Sequence, residues 1–545
     1  MDTTTRISDL RCATPEAAWS DLDDNLNKAP SPAAAGGWRA IQYRAGDIEG
    51  HCLQTSRPGS EILEIATGYR GWHAIFLGMA GHYDQAVLEV RLGDGPWQTV
   101  RAGSGAVQNL PWLIADLQGQ PIQIRYPQDL TQLPGRLRGQ PLSARLFWVQ
   151  FQALSAEQTK AARSKDSKPL VYMNDGHSLF YWDTVEDEKP TPSIVERSIN
   201  RFANSEWQTL CFCNGGADLV NYPSQVGTLF GQGGWDLPRR ADHKVHRLMQ
   251  GLIDAGHDAL QLAMQSASAQ DHQTWFYIRP QAWVGEPPFD HAFRSRFFTN
   301  NPQWRCRARD GRELGKMSIA YPQVRAHLNA ILAEGLERGA KGLAIALVRA
   351  LPLAWYEAPI LEAQGLDRNT PPDDPRLLSA WGELFEQWLI EIRALMPQGQ
   401  PLILIGGGTQ QWHRQFGIDL QDLAQKERFD VFLAYPTSDQ YEGGIDVQGL
   451  AECFSGNSVV FYPGLGDWRD QDLPLAQLRR RAHQFYQQGA DGLCRWDTSG
   501  LMIGPRLDLP QLQALWVEEL MTEDDRPLNE FAGLNLDEWP ALDGF

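Results

Sequence analysis

This chain of 545 residues has no apolar run approaching the roughly 18 residues of a membrane span. Its first residues, MDTTTRISDLRCATPEAAWSDLDD, lack a basic patch followed by an apolar core. The sequence therefore predicts a cytoplasmic protein, or a periplasmic or secreted one if a leader has been removed, without a membrane partner. Seven cysteines form no framework. Only Cys211 and Cys213 stand close, without a second pair or histidines at ligand spacing, and this reads as reduced thiols rather than disulfides or zinc. No G-x-G-x-x-G follows an apolar run, and Gly406-Gly407-Gly408 does not lead into a helix at the required spacing. No G-x-S-x-G is present either. Dinucleotide binding and serine-nucleophile chemistry are set aside, and no cofactor is expected. Positive charge is scarce: 49 Lys and Arg against 67 Asp and Glu leave a net charge of −18, which disfavours nucleic acid and anionic membranes as partners.

Tryptophan, by contrast, is plentiful, with 20 in the chain. Scattered Trp belongs mostly to cores, and in carbohydrate-active proteins it also stacks on sugar faces. The most informative stretch is Lys341–Glu362, KGLAIALVRALPLAWYEAPILE. Gly342–Val348 has the length and polarity of a buried strand. An amphipathic segment, Tyr321–Arg338, precedes it, with Val324, Leu328, Ile331, Leu332 and Leu336 on one face. A loop carrying Arg349, Tyr356 and Glu357 follows.

The rest of the chain sorts by whether it repeats this unit. Residues 1–155 do not. From Ser60 to Leu154 short alternating runs are separated by Gly, Asp and Pro, the pattern of a β-sandwich. Residues 156–168 are polar and read as a linker. Residues 169–545 do repeat it, with strands expected at Leu170–Met173, Thr209–Cys213, Thr274–Ile278, Gly342–Val348, Leu402–Ile405, Val431–Ala434, Val459–Tyr462 and Gly492–Trp496. Amphipathic segments lie between most of them, the clearest being Leu377–Met396, and an acidic tail ends the chain. Eight such strands predict an α/β fold of the (β/α)8 TIM-barrel type. An open doubly wound sheet is the alternative.

In such a barrel the residues after each strand face one mouth. Candidate substrate-binding residues are then Asp175 and His177 after the first strand, Asn214, Asp218 and Tyr222 after the second, and Arg279 and Trp283 after the third. Arg349 and Tyr356 follow the fourth, Trp412 the fifth, Tyr435 the sixth and Trp496 the eighth. Glu357, Asp439, Glu442 and Asp497 are the candidate catalytic carboxylates. Aromatic faces, amides and paired carboxylates are what a sugar site needs, one carboxyl protonated and one ionised. Each of these residues also has a plain structural use, as a turn, a helix cap or an ion pair, so the case rests on the ensemble. Asp175 and His177 also open a metal-dependent alternative. A cysteine nucleophile at Cys211 or Cys213 is weaker than the reading of a buried strand thiol.

Residues 301–349 carry a resemblance. Asn301, Pro302 and Trp304, the pair Asp310-Gly311, then Ser318, Ala320-Tyr321-Pro322, Val324-Arg325, Gly342 and Arg349 resemble the pattern of bacterial family-ten-like glycosyl hydrolases on TIM barrels. Tyr356-Glu357-Ala358-Pro359 resembles a Y-E-P-P stretch of that group, and Gly489–Asp497 its final strand. The resemblance covers most of residues 169–500. It implies a glycoside hydrolase acting on an oligo- or polysaccharide, with residues 1–155 as an accessory module like a carbohydrate-binding one. Two aspartates of the pattern fall on Lys341 and Ala346. The departure at Ala346 moves the expected general acid to Glu357, with Asp439 or Asp497 as nucleophile or base and Glu442 behind them. It also supports the alternative of a non-catalytic carbohydrate-binding or scaffold protein on a degenerate barrel.

Overall fold

A computed structural model describes residues 4–21, 36–45, 48–80, 85–102, 107–128, 142–163, 168–203, 205–232, 237, 239–283, 295–348, 351–435, 444–465 and 475–496. The contacts divide the chain into two compact units. The first holds Met1–Ser167, and the second holds Lys168–Gln471 with Phe485–Gly500.

The first unit is built of mostly antiparallel strands. Trp38–Ala45, Ile48–Thr55, Leu142–Ala153, Trp72–Met79 and Gln108–Asp116 pair in that order. Leu63–Ile65, Ile122–Arg125, Gln85–Leu92 and Gln98–Ala102 form a second run. Leu142–Ala153 joins the two, because its first residues pair in parallel with Gln85–Leu92. Alternation decides which side chains are covered: Leu88 and Val90 are fully buried, whereas Glu89 between them reaches Arg125. One apolar cluster draws Leu53, Ile75 and Leu77 from the first run and Leu63, Val90 and Ile122 from the second. At roughly 1.5–3 kcal/mol for each fully buried aliphatic side chain, this shared cluster is the largest favourable term holding the runs together.

The expected linker is partly a helix, Ala156–Arg163. Ser155 Oγ accepts the Gln158 amide at 3.2 Å, and Gln158 Oε1 accepts the Ser155 amide at 2.8 Å. This reciprocal pair is a capping box, which satisfies two donors at the helix start and offsets the lack of apolar residues. The S-x-x-Q spacing was there to be read, and polarity masked it.

In the second unit, strands form wherever the apolar runs stood. They are β1 (Leu170–Asn174), β2 (Thr209–Cys213), β3 (Gln273–Ile278), β4 (Leu343–Ala346), β5 (Leu402–Gly406), β6 (Val431–Ala434), β7 (Val460–Pro463) and β8 (Leu493–Arg495). Each is parallel to its neighbour, in the order β7-β6-β5-β4-β3-β2-β1-β8. A bridge between Gly464 and Cys494, with the Leu465 amide donating to Cys494 O at 2.9 Å, joins β7 to β8 and closes the ring. Intervening helices make this a (β/α)8 barrel rather than an open doubly wound sheet.

The inward positions alternate along every strand. Val171 and Met173, Cys211 and Cys213, Trp275 and Tyr277, Ala344 and Ala346, Ile403 and Ile405, and Val431 and Leu433 share one interior cluster with Tyr435, Tyr462 and Cys494. Helices cover the outside. Pro375–Leu395 buries Trp381, Phe385, Trp388, Leu389 and Ile392, while Leu395 is exposed at the last turn. Pro322–Glu337 buries Val324, Leu328, Ile331 and Leu332 as the spacing requires.

That helix lies against β3 closely enough to demand a glycine. A Cβ on Gly335 would stand 2.1 Å from Phe276 Cδ1, and Phe276 is fully buried. Alanine would raise helix propensity by about 1 kcal/mol, but the overlap is with an aromatic ring that has nowhere to go. Gly335→Ala is therefore expected to lower stability by about 1–3 kcal/mol. A thermal midpoint equal to or above that of the parent chain would show that the helix does not press on Phe276.

Candidate functional site at the barrel mouth

Three neighbouring strand ends bring one charged cluster together. Continuing the inward parity of β3 past Tyr277 puts Arg279 at the mouth, and the same parity on β1 puts Asp175 there. Both are half-buried. Asp175 Oδ1 accepts the amides of His177 (3.0 Å) and Ser178 (2.6 Å). Burial pushes the Asp175 carboxyl up, but the Arg279 guanidinium, His177 and the Ser178 bonds outweigh it and hold the group below the usual carboxylate range. Asp175 is therefore ionised at neutral pH.

Arg279 is anchored through its backbone amide to Gly216 O at 2.9 Å and through its guanidinium to Gly215 O. Its buried Nε finds no oxygen or nitrogen acceptor among the described residues, and neither does the Tyr277 hydroxyl; the Cys213 sulfur is the partner each reaches. The Cys213 thiol lies beside both groups. Burial raises this thiol to about 11, with Arg279 and the Gly215 amide offsetting only part of the rise. At neutral pH it is a protonated thiol, not a nucleophile.

His177 is buried against Phe230, ring centroids 5.0 Å apart, and burial lowers it to about 4, so the imidazole is neutral. It fits only because residue 215 is glycine. There φ is +111°, and a Cβ would lie 2.2 Å from the imidazole. Trp496, half-buried, follows β8, the strand paired with β1. Its ring stands 5.5 Å from Tyr277 and 5.1 Å from Tyr435, and its amide donates to the Tyr435 hydroxyl at 3.1 Å.

Several residues expected at the mouth serve as scaffold instead. Asn214 is fully buried and braces its own loop, accepting from the Gly216 amide (3.1 Å) and donating to Ala217 O (3.4 Å). Asp218 accepts from Thr228 Oγ1 (2.8 Å) and His327 Nε2 (2.6 Å). Tyr222 points outward, donating to Glu334 at 3.1 Å beneath the Arg338 guanidinium. Trp283 is fully buried, donating to Pro280 O at 2.6 Å. Tyr356 donates to Thr370 O at 2.9 Å. In each case a polar group placed by strand order alone found a partner within its own loop or against an outer helix.

Glu357 is the sharpest correction. Its carboxylate is fully buried and accepts three hydrogen bonds: from Arg307 N (2.9 Å), Ser318 Oγ (2.7 Å) and Trp355 N (2.5 Å). Burial raises its carboxyl despite these donors, which matched the requirement for a general acid, but no face is left for a substrate. It ties the hairpin Arg305–Arg307/Glu313–Met317 to the loop after β4. Trp412 stays half-buried on the short helix Gln410–Arg414, edge-on to Phe416. Arg349, Asp439, Glu442 and Asp497 lie outside the described residues. Tyr277 is the member of the cluster that the sequence reading did not name; the signal for it was the alternation Trp275, Tyr277, Arg279 on one strand. Among the described residues no group of three His, Cys, Asp or Glu stands where it would hold a metal ion, and no helix is long and apolar enough to cross a membrane.

Two outcomes follow from these bonds. Glu357→Ala strands three donors, so it is expected to cost about 2–4 kcal/mol; an unchanged thermal midpoint would remove its structural role. His413, fully buried after β5, donates through Nδ1 to Thr409 O (2.8 Å) and accepts the Gly407 amide at Nε2 (3.2 Å), which requires the neutral ring. Burial lowers it to about 4. The unfolded chain then takes up its proton first as pH falls, so stability is lost from about pH 6.5 down to about pH 4 and is flat below, by about 3 kcal/mol. A His413→Gln chain should lose correspondingly less over that window in urea titrations, and an identical loss would contradict the assignment.

No family model matches the chain, and no curated protein matches it. Among solved structures it is similar to the α-galactosidase TtGalA of Thermus thermophilus in complex with stachyose, at 11% identity and a TM-score of 0.34, covering 88% of this chain and 99% of that one. It is similar to the catalytic domain of a β-amylase from Paenibacillus polymyxa, at 11% identity and a TM-score of 0.38, covering 65% and 99%. It is also similar to the CBM22-1–GH10 modules of endo-1,4-β-D-xylanase 10B of Clostridium thermocellum in complex with xylohexaose, at 10% identity and a TM-score of 0.32, covering 91% and 96%.

Proposed function

We infer that the barrel mouth binds a carbohydrate and that the chain hydrolyses a glycosidic bond in an oligo- or polysaccharide. The observation that carries this reading is the set of under-satisfied polar atoms on the inward face. Arg279 Nε and the Tyr277 hydroxyl converge there with no oxygen or nitrogen acceptor among the described residues, next to the ionised Asp175 and the Trp496 ring. Buried donors without such acceptors are rare in folded proteins, and a ligand or ordered water resolves them. Two donors, one ionised acceptor and an aromatic ring suit a polyol with apolar C–H faces.

In this reading Asp175 is the ionised carboxylate, acting as nucleophile or base, and Arg279 keeps it ionised. The protonated partner comes from the segments after β6 or β8, which carry Asp439, Glu442 and Asp497 in sequence. Glu357 is released from the acid's role. The first unit is read as a two-layered β-sandwich acting as an accessory carbohydrate-binding module.

A non-catalytic binder is the second reading, and Ala346 favours it. This residue faces the interior, fully buried, where the resembling pattern has an aspartate. The purified chain should therefore be screened against glycans for both reducing-end release and thermal shift. Hydrolysis predicts release that Asp175→Asn lowers at least 100-fold, about 2.7 kcal/mol or more, with the shift retained. A shift without release selects the binder. Release untouched by Asp175→Asn would overturn the assignment of that carboxylate.

A further inference from the structure

A second cavity, of about 350 Å³, opens between the loop after β2 and the segment after β3. None of the mouth residues lines it. Its walls are Ser224, Gln225, Thr228, Arg296, Asn300 and His327, with the Phe297 ring among them. The volume is at the lower end of small-molecule sites and suits a ligand of monosaccharide size.

The acidic groups beside this cavity are already engaged. Asp218 is fully occupied by Thr228 and His327. Glu334 accepts from Tyr222 and Ser224 through Oε2 and from the Gln225 amide through Oε1. What remains available is donor-rich. Arg296 is exposed and makes no ion pair among the described residues. The Asn300 amide is exposed and likewise unbonded among them. His327 donates through Nε2 to Asp218, which makes Nδ1 of that tautomer an acceptor, so its ring lines the cavity without donating to an anion. Its ring is stacked on Phe297, centroids 3.8 Å apart and planes 17° apart, giving the cavity one rigid flat wall. A carboxylate-held imidazole cannot rotate to suit a ligand; it is preset.

We propose that this cavity is a second binding site, taking a small molecule that carries an oxyanion, either a carboxylate or a phosphate, on Arg296 and Asn300, with the body of the ligand against the His327–Phe297 wall. The chain's net charge of −18 opposes any anion at long range, so recognition depends on these local donors and Arg296 contributes most of it. The proposal does not depend on hydrolysis at the mouth.

The test is titration calorimetry of the full chain with inorganic phosphate, glucuronate and neutral glucose. At least one anion is expected to bind, one per chain, with glucose far weaker. Arg296→Gln should weaken that anion about tenfold or more, and Asn300→Ala, a second exposed position, should weaken it in the same direction. Binding of phosphate alone identifies a phosphorylated ligand, glucuronate alone a carboxylated sugar, and both together recognition of the oxyanion itself. The proposal is overturned if neither anion binds, if glucose binds as well as the anion that binds best, or if both variants keep the parent affinity. Loss of glycan release with anion binding intact would count against the mouth reading only.

Discussion

Closure of eight parallel strands into a ring is the constraint on which the second unit depends. Once the ring closes, inside and outside are settled by parity, and a one-residue slip would exchange them. Cys211, Cys213, Trp275, Tyr277 and the small residues of β4 are buried together because they share that parity. Asp175 and Arg279 meet for the same reason, each standing two residues beyond an inward strand residue, Met173 and Tyr277. The charged cluster is thus the continuation of the apolar core by two further positions, and its geometry is as firm as the strands beneath it.

Apolar runs and their spacing made all eight strands legible, and Pro322–Glu337 and Pro375–Leu395 were legible from their helical faces. What could not be read was which polar residue after a strand stays at the mouth. Asp175 and Arg279 were recoverable from parity. Asp218, Tyr222 and Glu357 were not, because their partners, His327, Glu334 and Ser318, lie 109, 112 and 39 positions away in the chain. Glu334 gave no warning, since a buried carboxylate within an apolar helical face breaks the pattern that identifies the helix.

The residues behind the resemblance have a similar double meaning. Asp310-Gly311 forms the turn of the hairpin that Glu357 ties down, and Tyr321-Pro322 starts the following helix with Pro at its first turn. Ser318 is a Glu357 partner. Arg325 binds Glu391 at 3.0 Å and Ile319 O at 2.7 Å. These positions build the β3–β4 connection, so a match over them records a way of folding more than a chemistry.

The barrel interior is uneven around its circumference. The arc of β1 to β3 presents Asp175, Cys213, Tyr277 and Arg279, whereas β4 and β5 present Ala344, Ala346, Val348, Ile403 and Ile405. A molecule seated there would rest off-centre, with its hydrogen-bonding edge turned to one arc and a bare flank turned to the other. Such a wall distinguishes stereoisomers that differ only in which face bears the hydroxyls, because a hydroxyl turned toward the aliphatic arc loses its water and gains nothing in return. Handedness of recognition would then come from what β4 and β5 lack among the described residues.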